Sequence, residues 1–254
     1  MLPIYIISDS EDDLNFFKSR NPHIVDYIEE FDYTPINGIN KQKLSNDGII
    51  DQDNIYSDNE LIRTAKHIEL WKIASQSKKG ITIVESNSFL HNDFKVCMNR
   101  GLKSNPDFDL FVWQYSLNWP ICVEMCPGFP KMAITFRDQR SNLPITITND
   151  MLIDANVFQN SSIDPFFLKL YSFAGLGCYS LSPKGAKQLL DLSLPIGKKQ
   201  PATYQENAVG SNLYIVEGAQ ERPNTSLDIE MNRHIPTLET YTSYPMLAIT
   251  PKLT

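Results

Sequence analysis

The sequence predicts an α/β fold with a mostly parallel central sheet. Leu2–Ile7 and Ile81–Val84 are short, continuous, β-branched apolar runs, the pattern of strands buried on both faces of a parallel sheet. Each ends in polar residues, Ser8-Asp9-Ser10 and Glu85-Ser86-Asn87. Between them, Glu60–Ser77 repeats its apolar residues at helical spacing. Strand ends that lead into helices are where open α/β sheets place ligands.

The elements follow in order. Ser8-Asp9-Ser10 supplies capping side chains before a helix carrying Leu14, Phe16 and Phe17. Phe31–Ile36 reads as a strand closed by Asn37-Gly38, and the polar stretch Ile39–Asn59 as a loop. In the helix Glu60–Ser77, Leu61, Ala65, Ile68, Trp71 and Ile73 lie on one side. Arg63, Lys66, Glu69 and Lys72 lie largely opposite, and Lys78-Lys79-Gly80 closes it. Phe89–Leu102 reads as a helix, Asp109–Trp113 as a third strand and Met132–Phe136 as a fourth. Ser116–Pro130, with three prolines, reads as irregular, and Pro144–Thr148 as a weak strand. Ser161–Phe173 reads as a helix and Gly175–Leu181 as a strand. Ser182-Pro183 then starts a helix with an N-cap serine and proline in the first turn. A last helix spans Leu227–His234. With no repeat and no strong linker, the 254 residues are expected to form one domain.

Charge and cysteine usage narrow the function. Thirty acidic residues against twenty-three basic ones give a net charge of -7 with no basic run. A duplex-binding groove needs clustered Lys and Arg to displace counterions, so no nucleic-acid partner is expected. No apolar run is long enough to span a bilayer. Glu11, Asp12 and Asp13 follow the first strand at once, which a signal peptide would not tolerate, so a cytoplasmic location is expected. Cys97, Cys122, Cys126 and Cys178 form no CxxC pair, and read as small apolar residues. The dinucleotide fingerprint GxGxxG is absent: Gly175 and Gly177 form one GxG, but it precedes a strand.

Five segments in fixed order carry more information. They are TAKHIELW (Thr64–Trp71), ITIVESNSFLHNDF (Ile81–Phe94), FDLFVW (Phe108–Trp113), GLGCYSLSPKGAKQLL (Gly175–Leu190) and LDIEMNRHIPTLETYTSYPMLAITPK (Leu227–Lys252). Together with IYIIS (Ile4–Ser8), this series resembles glycosyltransferase family 25, the lipooligosaccharide-type sugar transferases and collagen galactosyltransferases. The resemblance implies a single Rossmann-like domain. It also implies a UDP-hexose donor, a glycan or other hydroxyl acceptor, and inversion at the anomeric carbon. It further implies an acidic triplet, usually Glu-Asp-Asp, after the central strand. There Mn²⁺ or Mg²⁺ would bridge the diphosphate as a Lewis acid.

The triplet here is Glu85-Ser86-Asn87, so two of the three acidic positions are neutral. By resemblance, Glu85, Asn87 and Asp228 form the metal site. Glu85 and Asp228 are the catalytic carboxylates, with Asp228 a ligand or the general base for the acceptor hydroxyl. Asp228 equally suits a helix N-cap, and Glu85 a capping carboxylate. Ser8 and Asp9 fit contacts to uridine or ribose, although the family carries a basic residue shortly after its first strand and Ser8–Asp13 is acidic. Tyr179 fits the sugar pocket or the core. Lys184 fits a phosphate contact or a solvated side chain. His67, on the helix bearing Trp71, reads as structural.

Two functions follow. One is an active hexosyltransferase. The other is a binding or interaction module that keeps the fold after losing turnover, with Trp113, Tyr115 and Trp119 as candidate aromatic contacts.

Overall fold

A computed structural model describes residues 2–29, 31, 40–117, 119–136, 155–197, 199–202, 205–209, 212–216 and 220–250. Across 199–222 it describes the backbone alone. The chain opens with β1 (Ile4–Ile7), α1 (Glu11–Arg20), a 3₁₀ turn (Pro22–Tyr27) and β2 (Ile28–Glu29). It continues through α2 (Lys41–Asn46), α3 (Asp58–Gln76), β3 (Ile81–Glu85), β4 (Phe89–Leu90), α4 (Phe94–Ser104) and β5 (Leu110–Val112). Next come β6 (Ile121–Glu124), β7 (Met132–Ile134), α5 (Ala155–Asn160), β8 (Phe166–Ser172), β9 (Cys178–Leu181) and α6 (Pro183–Ser193). Two antiparallel pairs follow: β10 (Lys199–Ala202) with β13 (Gln220–Pro223), and β11 (Gln205–Val209) with β12 (Asn212–Val216). The chain then forms α7 (Leu227–His234), β14 (Thr240–Tyr244) and β15 (Ala248–Ile249).

Nine strands form one sheet in the order β2-β1-β3-β9-β5-β14-β8-β6-β7. The fold is α/β, and the sheet is mixed where the sequence suggested mostly parallel. The β1–β2, β1–β3 and β5–β14 pairings are parallel, while the other five are antiparallel. The reason is β9, which lies antiparallel between β3 and β5. Its four residues are all buried, so its apolar pattern matches that of a parallel strand. β1, β3, β5 and β14 still run the same way, and their carboxyl ends share one edge.

Alternation along β3 builds a core on each face. Ile81 and Ile83 join the larger core with Leu61, Ile68 and Trp71 of α3, Leu189 of α6 and Met231 of α7. Val84 faces the other core, with Phe17 of α1, Phe94 and Met98 of α4, Phe111 and Trp113. Ser57 caps α3 by accepting the Glu60 N–H, and Gly80, at φ +90°, turns the chain into β3.

Several expectations change. Within Ser161–Phe173, where a helix was expected, Phe166–Ser172 is strand β8: Leu168 and Leu170 turn to one core and Phe167 to the other, a period of two. Partners on both sides, β14 and β6, override the local pattern. The helix expected from Phe89 begins at Phe94, because Phe89 and Leu90 pair with Ile249 and Ala248. The stretches expected to be irregular hold α2 and β6. Trp113 and Tyr115 are buried, so of the three aromatics weighed for an interaction surface only Trp119 is exposed, at 43%. Phe31–Ile36 beyond Phe31, and all of Pro144–Thr148, lie outside the described residues. Among the described residues, no helix is long and apolar enough to cross a membrane.

Candidate functional site

A cleft of about 820 Å³ opens at the carboxyl ends of β1 and β3. Its strand side is formed by Ile7, Asp9, Asp13, Glu85, Ser86 and Asn87; its helix side is the first half of α3, from Ser57 to Lys66. The strand ends are held in register by backbone bonds. The Ser86 N–H reaches Ile7 O at 2.8 Å, and the Glu85 N–H reaches Gly177 O at 2.9 Å. Arg20 of α1 donates to the Ser86 carbonyl at 2.5 Å.

Glu85 is the centre of the site. Its side chain is only 13% exposed, and Oε1 accepts from both Arg63 Nε and His67 Nε2, the latter at 3.4 Å. The donor order at His67 is set by the Glu85 carboxylate, which can only accept, so that Nε2 carries the hydrogen and Nδ1 accepts. Trp71 Nε1 can only donate, and it donates to the Tyr179 hydroxyl at 2.9 Å. The hydroxyl hydrogen then points to His67 Nδ1 at 2.8 Å. His67 therefore carries its proton on Nε2, which faces the carboxylate. The chain Trp71, Tyr179, His67, Glu85 fixes a tautomer and aims a buried carboxylate.

Burial alone would raise the Glu85 carboxyl, but the His67 hydrogen bond and the Arg63 charge outweigh it and hold it below its ordinary value. Burial lowers His67 despite the attraction of Glu85, so the imidazole is neutral. Both shifts have the same consequence for stability. The His67 contribution is fully present above 6.5, the ordinary imidazole value, and is lost as pH falls from there through the lower folded value. The Glu85 contribution is present above 4.5 and is lost as pH falls through its depressed folded value. Long-range ¹H–¹⁵N NMR is expected to place the His67 midpoint below 6.5, with Nε2–H the neutral tautomer. A midpoint above 6.5 would contradict the buried, neutral assignment.

The cations of the cleft stand on α3. Arg63, 36% exposed, lies between Glu85 and Glu60, with Nη1 at 3.6 Å from Glu60 Oε2. Lys66, with its side chain 4% exposed, donates to Ser8 O and Asp9 Oδ1, each at 2.7 Å. Glu60 accepts the Leu227 N–H at 3.1 Å, tying α3 to the start of α7, and burial pushes its carboxyl upward.

Asp9, Glu85 and Asn87 line one cleft, and Ser8 adjoins it through its carbonyl, which accepts from Lys66. Asn87 is exposed in the cleft wall. Asp228 sits behind Glu60 at the same edge. Its oxygens accept from Gly175 N at 2.8 Å, Ile229 N at 3.0 Å and Ser226 Oγ, so it pins α7 to the loop before β9. Tyr179 is buried beneath Glu85 and enters the site through His67. Lys184 lies at the opposite edge of the sheet, paired with Asp109 at 3.1 Å. The antiparallel course of β9 puts its carboxyl end, and the start of α6, beside the amino ends of β3 and β5.

Arg63 and Lys66 were expected only as part of the face opposite the apolar side of the helix, and Glu60 only as its first residue. Their signal was a set of polar residues at positions 60, 63, 66 and 67, about one helical turn apart on an amphipathic helix.

The side chains present do not fit a protein-held divalent cation. Glu85 Oε1 is taken by Arg63 and His67, both Asp228 oxygens are taken by hydrogen-bond donors, and Asn87 offers one neutral carbonyl. Among the described residues, no three His, Cys, Asp or Glu side chains converge as ligands. Comparison of the chain with protein-family models and with curated proteins found no match.

Proposed function

We propose that this chain is a hexosyltransferase that moves a sugar from a uridine diphospho-hexose to a hydroxyl of a glycan or similar acceptor, with inversion. One observation carries the reading. Glu85 and Asn87, which the family resemblance assigns to the metal and donor site, and Ser8 and Asp9, which follow the first strand and suit uridine or ribose contacts, come from two distant segments and meet at the carboxyl edge of adjacent strands. That edge is where α/β sheets bind nucleotides.

In this reading the acceptor oxygen attacks the anomeric carbon as the bond from that carbon to the diphosphate oxygen breaks. UDP leaves with the electron pair, and the acceptor proton passes to a carboxylate. Glu60 suits that role because it lines the cleft and burial raises its affinity for a proton. Asp228 holds α7 and the Gly175 loop in place, and Glu85 anchors Arg63.

A second reading, a transferase fold kept as a nucleotide-sugar binding module, is favoured by one feature: the first acidic position of the triplet, Glu85, is bonded to Arg63 and His67. Calorimetry with UDP and a UDP-release assay separate the two. The enzyme reading expects UDP release from the wild type, cut at least 100-fold in Glu60→Gln with UDP affinity kept. Tight UDP binding with no release from the wild type would select the module, and no binding of any uridine diphospho-compound would end both.

A further inference from the structure

We propose that the cleft receives the donor's diphosphate directly on Arg63 and Lys66, with no divalent cation held by protein side chains. The inference rests on the nucleotide-sugar reading and names how that site meets the anionic part of its ligand.

Two facts of geometry support it. First, the cations have hydrogen-bond donors to spare. A guanidinium carries five N–H bonds; Arg63 gives Nε–H to Glu85, while Nη1 stands 3.6 Å from Glu60. No partner of Nη2 is found among the described residues. Lys66 has three N–H bonds and gives two, to Ser8 O and Asp9 Oδ1. Both side chains line the cleft wall. Second, the carboxylate that would hold a dication is already paired with a cation. Arg63 is bonded to Glu85 Oε1, so an ion coordinated there would sit against a guanidinium charge.

The carboxylates of the cleft do not defeat the anion. Glu85 and Asp9 are each tied to one of the two cations. Each cation can bridge its carboxylate on one side and a phosphate oxygen on the other, because arginine and lysine donate in several directions. Glu60 sits on the far side of Arg63, with Oε2 3.6 Å from Nη1. Asp13 is exposed at the rim, where salt screens it. Lys66 is nearly buried, so it is fixed before ligand arrives and little side-chain freedom is lost on binding.

The test is UDP titration of the full chain by calorimetry, in EDTA and then in Mn²⁺, with Mn²⁺ alone followed by electron paramagnetic resonance. The expected result is UDP binding within threefold of the same affinity in both buffers. Arg63→Gln and Lys66→Gln are each expected to weaken it at least tenfold in EDTA. The free Mn²⁺ signal should not fall when protein is added. Should Lys66→Gln fail to fold, Arg63→Gln on its more exposed side chain decides alone. UDP binding that appears only with Mn²⁺, or a fall in the Mn²⁺ signal that Glu85→Gln reverses, overturns the inference and leaves the nucleotide-sugar reading standing. No UDP binding in either buffer overturns both.

Discussion

Tyr179→Phe is expected to destabilise the protein by about 2–4 kcal/mol although it removes a single oxygen. That hydroxyl accepts from Trp71 and donates to His67, and all three side chains are buried. Phenylalanine would fill the same space, so little cavity forms. The cost comes from leaving an indole N–H and an imidazole nitrogen without partners where water does not reach. Each such group costs roughly 1–3 kcal/mol. Urea unfolding is expected to show a lower midpoint at an unchanged slope. Trp71→Phe in the Tyr179→Phe background should then cost less than in the wild type, because the partner it loses is already gone. A loss under about 0.5 kcal/mol would mean that the buried chain contributes little beyond packing. The same variant frees His67 to change tautomer, so the imidazole resonances should shift from the pattern of a fixed Nε2–H.

Gly185→Ala is expected to lower the melting temperature by about 6–12 °C, corresponding to roughly 3 kcal/mol in a chain of this size. A β-carbon at Gly185 would stand 2.1 Å from the Asp109 carbonyl oxygen and 2.5 Å from its carbon. Those are backbone atoms, so no side-chain rotation relieves the contact. The segment cannot move away either. Asp109 O accepts the Ser182 N–H at 3.1 Å, and its carboxylate holds Lys184 and the Glu239 N–H. Alanine gains about 1 kcal/mol of helix propensity over glycine, too little to offset the overlap. A melting temperature equal to or above that of the wild type would show that α6 can shift away from β5 at small cost.

The residues that bear most on function were partly legible in advance. Glu85 and Asn87 stand at the end of an apolar strand, and Ser8 and Asp9 at the end of another, so their place on a sheet edge follows from local pattern. Arg63 and Lys66 were legible only as polar positions on an amphipathic helix. Lys66 was expected in solvent and is nearly buried, because α3 lies across the β1 end and presses that lysine onto the Ser8 carbonyl. No spacing rule predicts this, since the partners are 58 residues apart. Tyr179 illustrates the same limit. Its burial follows from a strand of apolar neighbours, but its hydroxyl acquires meaning only when α3 brings Trp71 and His67 over it.

The amino-acid order by itself determined the α/β class, the main helices, and the strands whose two faces are both apolar. These depend on contacts within a few residues and on whether a side chain is buried. The tertiary structure alone decided that Phe166–Ser172 is a strand, that β9 runs against its neighbours, and that Lys184 consequently stands at the far edge from Glu85. It also decided that a guanidinium and an imidazole meet the Glu85 carboxylate. The physical reason is that a hydrophobic pattern specifies which face is buried but carries no record of the partner that buries it. Strand direction and side-chain pairing are set by segments far away in the chain.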